Sequence, residues 1–143
     1  MKNNSASSFL VSTDKNLLDR ETIFSFLASS YWAKDRSKAT IVKTLDNSLC
    51  FGLYNNGRQI GFARVITDYS VFAYLLDVFI SKEFRGKGGG KKLIKEILNY
   101  PDLKEVKKWM LATKDAHVFY EKFGFVQLKN HKKYMEYSPS PQN

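Results

Sequence analysis

Apolar residues along this chain follow two different periods, one typical of strands and one typical of helices. Runs rich in β-branched and aromatic residues, as expected of strands, cover 49–55, 58–67, 72–80 and 106–112. Apolar residues three or four positions apart, as expected of amphipathic helices, occur within 19–30, 37–45, 90–100 and 114–123. Shorter strands are predicted at 8–12, 125–128 and 132–137. The predicted order is therefore β-α-α-β-β-β-α-β-α-β-β.

Turn and capping residues support these boundaries. Asn56-Gly57 separates the first two long strands and is a strong hairpin signal. The strand at 72–80 is expected to continue the antiparallel arrangement. Residues suited to helix ends are Asp19, Ser37 and Thr113 as N-caps and Gly124 as a stop. The sequence thus predicts an α/β fold with a mixed, mostly antiparallel central sheet and helices on both faces.

A glycine-rich turn joins the strand at 72–80 to the helix at 90–100. Four glycines occupy five positions there, with cations around them, in the run Arg85-Gly86-Lys87-Gly88-Gly89-Gly90-Lys91. The first backbone N–H groups of a helix have no partner within it, and glycine lets a ligand come close to the backbone. Together with the helix dipole, these features suit a phosphate or pyrophosphate. The alternative is a basic turn that only connects two elements.

Two common phosphate-binding motifs do not fit this run. A Walker A loop needs Ser or Thr at position 92 and a dinucleotide fingerprint needs Gly at position 91, and both positions are Lys. The pattern Arg85-x-x-Gly88-x-Gly90 instead resembles the acetyl-CoA pyrophosphate motif of the GNAT superfamily of N-acetyltransferases. One departure from that family is Gly89, where its members commonly carry Ile or Leu. A third glycine is expected to loosen the loop.

A second segment strengthens the resemblance. Ala116 to Phe125 is similar to the helix of GNAT proteins that ends in a Tyr-x-x-x-Gly-Phe turn. The resemblance covers about residues 8–137, so it implies one GNAT-like domain there. The polar residues 1–7 and the Pro-, Ser- and Gln-containing residues 138–143 are expected to be flexible tails. It further implies an enzyme that transfers the acetyl group of acetyl-CoA to a primary amine by direct attack in a ternary complex. The expected acceptor is a small molecule, with a protein or peptide amine as the second choice.

The resemblance also assigns roles around the loop. The pyrophosphate of acetyl-CoA would lie on the segment from Arg85 to Lys91, bound mainly by backbone N–H groups. The pantetheine arm would pair like a strand with the backbone of Asp77, Val78 and Phe79, and one of these N–H groups would polarise the thioester carbonyl. Thr113, where family members often have Asn, would hydrogen-bond the coenzyme arm.

Two residues are candidates for catalysis. Tyr120 matches the family tyrosine that protonates the leaving thiolate, and a phenol is protonated at neutral pH. Its helical spacing with Ala116 and Phe119 also fits a core aromatic residue. Asp77 is a lone carboxylate in an apolar strand, which is costly unless it has a partner or a function. It is either a carboxylate of the catalytic face or the partner of an arginine such as Arg64.

Acceptor specificity in the family comes from the first helices, their connection and the open ends of the central strands. The polar and aromatic residues at these positions are Tyr31, Trp32, Arg36, Arg64, Asp68, Tyr69 and Tyr74. The candidate substrate-binding residues among them are Tyr31, Trp32, Arg64 and Tyr74. Paired aromatic side chains in a connection can bind an amine by cation–π contact. They serve equally well as apolar plugs between two helices.

Composition narrows the function classes further. The chain has 143 residues, of which 43% are hydrophobic and 15% aromatic, enough to fill the core of one domain. Its net charge of +9 suits an anionic ligand. Two other functions are also compatible with this charge. One is a basic module that binds RNA or another anion, and the other is an acyl-CoA-binding protein without turnover. The lysines do not cluster and no recognised nucleic-acid motif is present, so no specific nucleic acid is expected.

Several expectations concern what the protein lacks. The single cysteine, Cys50, sits among apolar neighbours and fits a core position better than a nucleophile. No cluster of His, Cys or Asp has the spacing of metal ligands, so no metal is expected. The start of the chain has no secretory signal and no run reaches membrane-spanning length. A cytoplasmic protein without a membrane partner is therefore expected. It is further expected to be a monomer or a homodimer.

Overall fold

The computed structural model describes residues 8–140. It divides the chain into two compact units, one ending at Ala112 and one beginning at Thr113. The first unit contains the strands and three of the α-helices that the structure describes, and the second contains one α-helix followed mainly by irregular chain. The single domain predicted over 8–137 therefore stays a prediction. The predicted tail at 1–7 lies outside the described residues, as do positions 141–143 of the second tail.

A five-stranded sheet forms the first unit. Its strands are β1 (Leu10–Ser12), β2 (Leu49–Asn55), β3 (Arg58–Thr67), β4 (Phe72–Ile80) and β5 (Lys108–Leu111). They lie in chain order across the sheet, and all neighbours are antiparallel except β4 and β5, which are parallel. The β2–β3 hairpin turns at Asn56 and Gly57, whose φ angles of 52° and 80° fit the type I′ turn that Asn-Gly favours. The predicted hairpin and the mostly antiparallel sheet are confirmed.

Three α-helices cover the sheet, and two of them begin at the predicted caps. They are α1 (Arg20–Ser29), α2 (Lys38–Asp46) and α3 (Gly89–Leu98). The Asp19 carboxylate accepts a hydrogen bond from the Thr22 N–H at 3.2 Å, and the Ser37 hydroxyl accepts one from the Thr40 N–H at 3.1 Å. Each bond satisfies a backbone donor that the helix leaves unpaired.

The helices lie on both faces of the sheet, as predicted. Apolar side chains of α1 and α2 pack against Cys50, Phe62 and Phe79, so Cys50 is a core residue. Successive residues of a strand point to opposite faces, so Phe51 and Leu53 point away from Cys50. There the first residue of α3 lies against Leu53. The α/β fold class is therefore confirmed in the first unit.

The second unit departs from the prediction. Its helix α4 (His117–Glu121) is shorter than the predicted 114–123. No strand follows it within the described residues, so the closing strands predicted at 125–128 and 132–137 are wrong. A 3-10 turn at His131–Lys133 enters the second of these segments, and the apolar side chains beyond it are exposed. An alternating pattern makes a strand only where it fits a pleated, half-buried surface.

Candidate active site

Strand β4 has a strand on both sides for only half of its length. β5 pairs with it from Phe72 to Leu75, whereas β3 pairs with it as far as Ile80. From Leu76 to Ile80, none of the strands that the structure describes lies beside the second edge of β4. Backbone groups on this free edge are therefore available to a ligand that adds as an extra strand.

A β-bulge lies where the free edge of β4 begins. Arg64 pairs with Leu76 and Phe62 pairs with Phe79, so two steps along β3 correspond to three steps along β4. Asp77 lies within this irregular stretch and has a φ of 54°, a left-handed conformation that is uncommon for residues with a Cβ. Such bulges redirect side chains and occur often beside active sites.

The carboxylate of Asp77 is held by three side chains. Its Oδ1 accepts a hydrogen bond from the Trp32 indole N–H at 2.7 Å, and its Oδ2 accepts bonds from Arg36 Nη1 at 2.8 Å and Arg64 Nε at 2.6 Å. The side chains of Asp77 and Arg64 are only 1% and 6% exposed, so their ion pair is buried. We call Asp77, Arg64, Arg36 and Trp32 the Asp77 cluster. Its contacts join β4 to β3 and to the connection between α1 and α2.

The Asp77 cluster keeps its carboxylate ionised. Burial by itself raises the pKa of Asp77, but the hydrogen bond and charge of Arg64, the hydrogen bond of Trp32 and the charge of Arg36 together lower it more. The net pKa lies below the ordinary value, so the carboxylate is a weak base at neutral pH. Of the two hypotheses drawn from the sequence, the structure shows the partnership with Arg64, and a catalytic role for Asp77 stays a prediction.

The glycine loop (Arg85–Gly88) follows the free half of β4. A 3-10 helix at Lys82–Phe84 leads into it, and Gly86 and Gly88 have φ angles of 77° and 84° that suit glycine. Gly88 is the N-cap of α3, whose first hydrogen bond runs from the Lys92 N–H to the Gly88 carbonyl at 3.0 Å. The N–H groups of residues 88–91 therefore have no acceptor inside the helix, and this end of α3 is positively polarised.

Arg85 ties the glycine loop to the end of β4. Its Nε–H donates to the Ile80 carbonyl at 3.0 Å, and its side chain is exposed. The terminal guanidinium nitrogens form no hydrogen bond found in residues 8–140. A planar guanidinium with one edge fixed and two nitrogens facing solvent is suited to a phosphate oxygen.

Gly89 belongs to the helix rather than to the loop. It is the first residue of α3 and is buried, and a Cβ there would lie 3.0 Å from Leu53 Cδ2 and 3.4 Å from Phe9 Cε2. Phe9 is itself buried and packs edge-on against Phe84. It fills the space that a larger residue at position 89 would need. The third glycine therefore accommodates Phe9, and the expectation that it loosens the loop stays a prediction.

A groove of about 430 Å³ runs beside α1 and the turn after β4. Its lining residues are Glu21, Thr22, Ser25, Phe26, Ser29, Ser81 and Lys82. The Phe26 ring stacks on Phe79 with ring centroids 4.0 Å apart and an angle of 14°, so α1 packs directly against the free half of β4. These hydroxyl groups of α1 are not among the residues predicted for the site, although Thr22, Ser25 and Ser29 have the spacing of one helix face.

The predicted acceptor residues differ in exposure. Tyr31 and Trp32 lie in the connection between α1 and α2, are 57% and 39% exposed, and contact each other edge-to-face at 5.2 Å. They are therefore not buried plugs between two helices. Arg64 is buried in the Asp77 cluster, and Tyr74 is half-buried on β4 opposite Ile66. The structure thus brings Trp32 and Arg64 together, and it adds Arg36 to them.

Tyr120, in the second unit, lies at the end of α4. Gly124 has a φ of 97°, its N–H donates to the Glu121 carbonyl at 3.1 Å, and the Phe125 N–H donates to the Tyr120 carbonyl at 3.4 Å. These two bonds form a Schellman motif, and the Tyr120 and Phe125 rings, 5.9 Å apart, supply its apolar contact. The Tyr-x-x-x-Gly-Phe pattern is thus a helix end, and the predicted stop at Gly124 is confirmed.

Two further properties of the second unit bear on the predicted roles. Burial raises the pKa of the Tyr120 phenol to about 12, so it is protonated at neutral pH. The Thr113 hydroxyl accepts a hydrogen bond from the Ala116 N–H at 3.1 Å. The N-cap of α4 is nevertheless Ala116, since the helix begins only at His117. The prediction that Thr113 caps this helix is therefore wrong.

None of the helices within 8–140 is long and apolar enough to cross a membrane. Over the same range, no group of three or more His, Cys, Asp or Glu residues is placed to bind a metal ion.

Comparisons with known proteins identify the family. A model of the acetyltransferase (GNAT) domain matches residues 46–127, more than half of the chain. A Gibberella zeae protein, named as a candidate acetyltransferase, is 35% identical over 141 residues, covering 81% of this chain and 78% of its own. A crystal structure of a GNAT-family protein from Xanthomonas campestris pv. campestris superposes with a TM-score of 0.88 at 44% identity, covering 92% of this chain and 94% of that one.

A more distant structure shares the fold alone. Glucosamine-6-phosphate N-acetyltransferase from Arabidopsis thaliana superposes with a TM-score of 0.61 at 18% identity, covering 92% of this chain and 99% of that one. The glycine loop and the strand before it lie within the region that the domain model matches. This chain therefore belongs to the GNAT family of acetyltransferases, whose members generally take the acetyl group from acetyl-CoA.

Proposed function

We propose that this protein transfers the acetyl group of acetyl-CoA to a primary amine of a small molecule, by direct attack in a ternary complex. The observation that carries the proposal is the adjacency, within one unit, of the free edge of β4 and the glycine loop before α3. A coenzyme with an extended arm and a pyrophosphate needs these features in succession: backbone to pair with, then unpaired N–H groups at a helix start.

In this proposal the pyrophosphate lies on the segment from Arg85 to Lys91. The N–H groups of residues 88–91 lack acceptors inside α3 and lie at the positive end of its dipole. Arg85 and Lys87 add positive charge beside them. Charge-assisted hydrogen bonds from these groups favour a doubly charged ligand over a neutral one.

The pantetheine arm pairs with the backbone of Asp77, Val78 and Phe79, and an N–H group of this stretch polarises the thioester carbonyl. Negative charge develops on the carbonyl oxygen as the amine nitrogen attacks the carbon, and a fixed donor stabilises it without the reorganisation that water needs. The bulge helps to set the direction of these backbone groups. We therefore assign Asp77 a positioning role, since a carboxylate with a lowered pKa and three donors accepts a proton poorly.

Tyr120 supplies the proton that the departing sulfur needs. The C–N bond forms, the C–S bond breaks, and the CoA thiolate takes the phenol proton. The amine nitrogen loses a proton to solvent, from which the tyrosinate recovers its own. A pKa raised to about 12 keeps Tyr120 protonated throughout the neutral range, which is the state that an acid must start from.

Calorimetric titration with acetyl-CoA tests the coenzyme part of the proposal. Arg85→Ala is expected to raise the Kd about tenfold or more, because a charged hydrogen bond contributes roughly 1.5–3 kcal/mol. Lys43→Ala removes a positive charge from an exposed position on α2 and is the matched control, with no expected change in Kd. Absence of binding at millimolar acetyl-CoA would contradict the proposal.

Release of free CoA thiol with a panel of amines tests the chemistry. Release that depends on both acetyl-CoA and an amine, with the acetylated amine found by mass spectrometry, is the expected result. Binding of acetyl-CoA without release for any amine would instead favour an acyl-CoA-binding protein without turnover.

A further inference from the structure

The Asp77 cluster contains more positive than negative charge. Two guanidinium groups, on Arg36 and Arg64, surround the one carboxylate of Asp77. Both carboxylate oxygens already accept hydrogen bonds, three of them from the arginines and one from Trp32. The neighbouring Lys34 and Asp35 are exposed and opposite in charge, so they do not cancel the excess. The free edge of β4 therefore begins beside a surplus of one positive charge.

Arg36 is the member of the cluster that can reach a ligand. Its side chain is 27% exposed, and both of its bonds to Asp77 come from Nη1. Among the hydrogen bonds found in residues 8–140, none involves its Nε or Nη2. Arg64, in contrast, is buried and uses Nη1 on Ser48 as well as Nε on Asp77. Asp77 thus fixes one corner of the Arg36 guanidinium and leaves the rest of its planar fork for an anion.

An aromatic surface lies next to this guanidinium. The Trp32 ring is oriented by its hydrogen bond to Asp77 and packs against Phe26 at 6.2 Å, while Tyr31 contacts its edge. Both rings keep a large exposed fraction. A rigid aromatic surface beside an exposed guanidinium suits a ligand with an apolar body and an anionic group.

We propose that Arg36 binds an anionic group, carboxylate or phosphate, on the acceptor amine, while Trp32 and Tyr31 contact the apolar body of the acceptor. This inference rests on the proposed N-acetyltransferase function and names its substrate class. The same surplus charge disfavours polyamines, because two like charges about 4 Å apart repel by roughly 4 kcal/mol near a protein surface. It also favours the neutral form of the attacking amine, which is the nucleophile.

Matched acceptor pairs test the proposal on the unmodified protein. Phenylalanine is compared with phenethylamine, and phosphoethanolamine with ethanolamine, at saturating acetyl-CoA, with spermidine as a polycation. At least about a tenfold higher kcat/KM for the anionic member of a pair is expected, from one charged hydrogen bond. The pair that shows the preference distinguishes carboxylate from phosphate. Equal or better turnover of phenethylamine, ethanolamine or spermidine would overturn the substrate class and leave the proposed function intact.

Arg36→Gln then assigns the preference to its residue. The variant is expected to raise KM for the preferred anionic acceptor about tenfold or more and to bring the ratio of kcat/KM between the two members of the pair close to one. Lys34→Gln removes the same charge two residues away and should leave both unchanged. Equal effects of the two variants would contradict the role of Arg36. If Arg36→Gln proves unstable by circular dichroism, the acceptor pairs still decide the substrate class. No turnover of any amine would refute the proposed function itself.

Discussion

The glycine loop and the β4 bulge both contain left-handed backbone, but different forces stabilise it in each. Gly86 and Gly88 have φ angles of 77° and 84°, which glycine adopts as readily as negative ones. Asp77 has a φ of 54°, which costs a residue with a Cβ roughly 1–3 kcal/mol. The hydrogen bonds and ion pairs of the Asp77 cluster offset that cost. One conformation is therefore a local property of its residues, and the other is imposed by distant side chains.

This difference implies that the two regions should respond differently to substitution. Changes in the loop should act on ligand binding and have modest effects on stability. Changes in the bulge should destabilise the whole unit, because the cluster joins two strands to the connection between α1 and α2.

The largest effect is expected for Asp77→Ala. Removal of the carboxylate leaves Arg64 as a buried, unpaired charge, and breaking such a pair costs about 3–5 kcal/mol of unfolding free energy. Urea denaturation followed by circular dichroism measures the loss. Glu83→Gln is the control, because it breaks the exposed ion pair with Arg58, and exposed pairs contribute at most about 1 kcal/mol.

Asp77→Gly tests whether the bulge depends on the carboxylate contacts or only on the backbone preference of the residue at position 77. Glycine accepts the left-handed φ without strain, but it lacks the carboxylate. We expect a loss smaller than that of Asp77→Ala by the roughly 1–2 kcal/mol of strain that glycine avoids, but still a clear loss, since Arg64 is unpaired in both variants. A Gly variant as stable as the wild type would mean that the bulge, like the loop, depends only on local backbone preference.

Tyr120→Phe tests another place where a glycine provides left-handed backbone, the end of α4 at Gly124. The substitution keeps the ring that contacts Phe125, so the Schellman motif and the thermal stability should survive. kcat should fall about 100-fold, at the low end for a general acid, while KM for acetyl-CoA changes little. A lower melting temperature with unchanged turnover per folded molecule would show that Tyr120 is structural.

Gly88→Ala should have a smaller effect on stability. A Cβ in left-handed backbone costs roughly 1–2 kcal/mol, and Gly88 has no side-chain contacts whose loss would add to this. Acetyl-CoA affinity should also fall, because the strained N-cap is expected to shift the unpaired N–H groups behind it. Lys87→Ala, a neighbouring exposed position without a positive φ, controls for stability. Equal stability of the two variants would argue against a left-handed requirement at Gly88.

The smallest effect is a pH dependence that only the bulge should show. The pKa of Asp77 is lower in the folded protein than in the unfolded chain, where it is about 3.9. Its stabilisation is therefore complete well above pH 4 and is lost as the pH falls through the folded pKa, by at most about 1.4 kcal/mol per pH unit. The difference in unfolding free energy between wild type and Asp77→Asn should shrink below about pH 4. A constant difference down to pH 3 would contradict the charge-based account.

The same distinction explains what could be predicted from the sequence. The Asn56-Gly57 hairpin, the N-caps at Asp19 and Ser37, and the helix stop at Gly124 are local, and all appear in the structure. The glycine loop belongs to this group, since its composition is its own signal. The sequence therefore predicts most of the sheet and the position of the helix start where we propose the anion site.

Features that depend on distant contacts could not be predicted. Nothing near Asp77 in the chain indicates that Trp32 and Arg36, more than forty residues away, bind its carboxylate. The groove beside α1 is likewise created by packing against β4. The prediction of the closing strands was wrong for the opposite reason. Residues 125–137 contain apolar residues typical of strands, but several of these side chains are exposed and no strand forms. The local pattern of residues predicts most secondary-structure elements, whereas the distant contacts of a side chain are known only from the folded structure.

The contact between Phe9 and Gly89 has a consequence for how such sequences diverge. The two positions share one volume: a large ring enters from the start of the chain because the helix offers no side chain there. Related sequences with Ile or Leu at the position of Gly89 should then carry a smaller residue at that of Phe9, so the two sites should vary together and in opposite directions. The room at the start of α3, where we propose the anion site, is thus limited by the residue before the first strand. Transplanting the loop alone into another member of the family would therefore create a mismatch of side-chain volume.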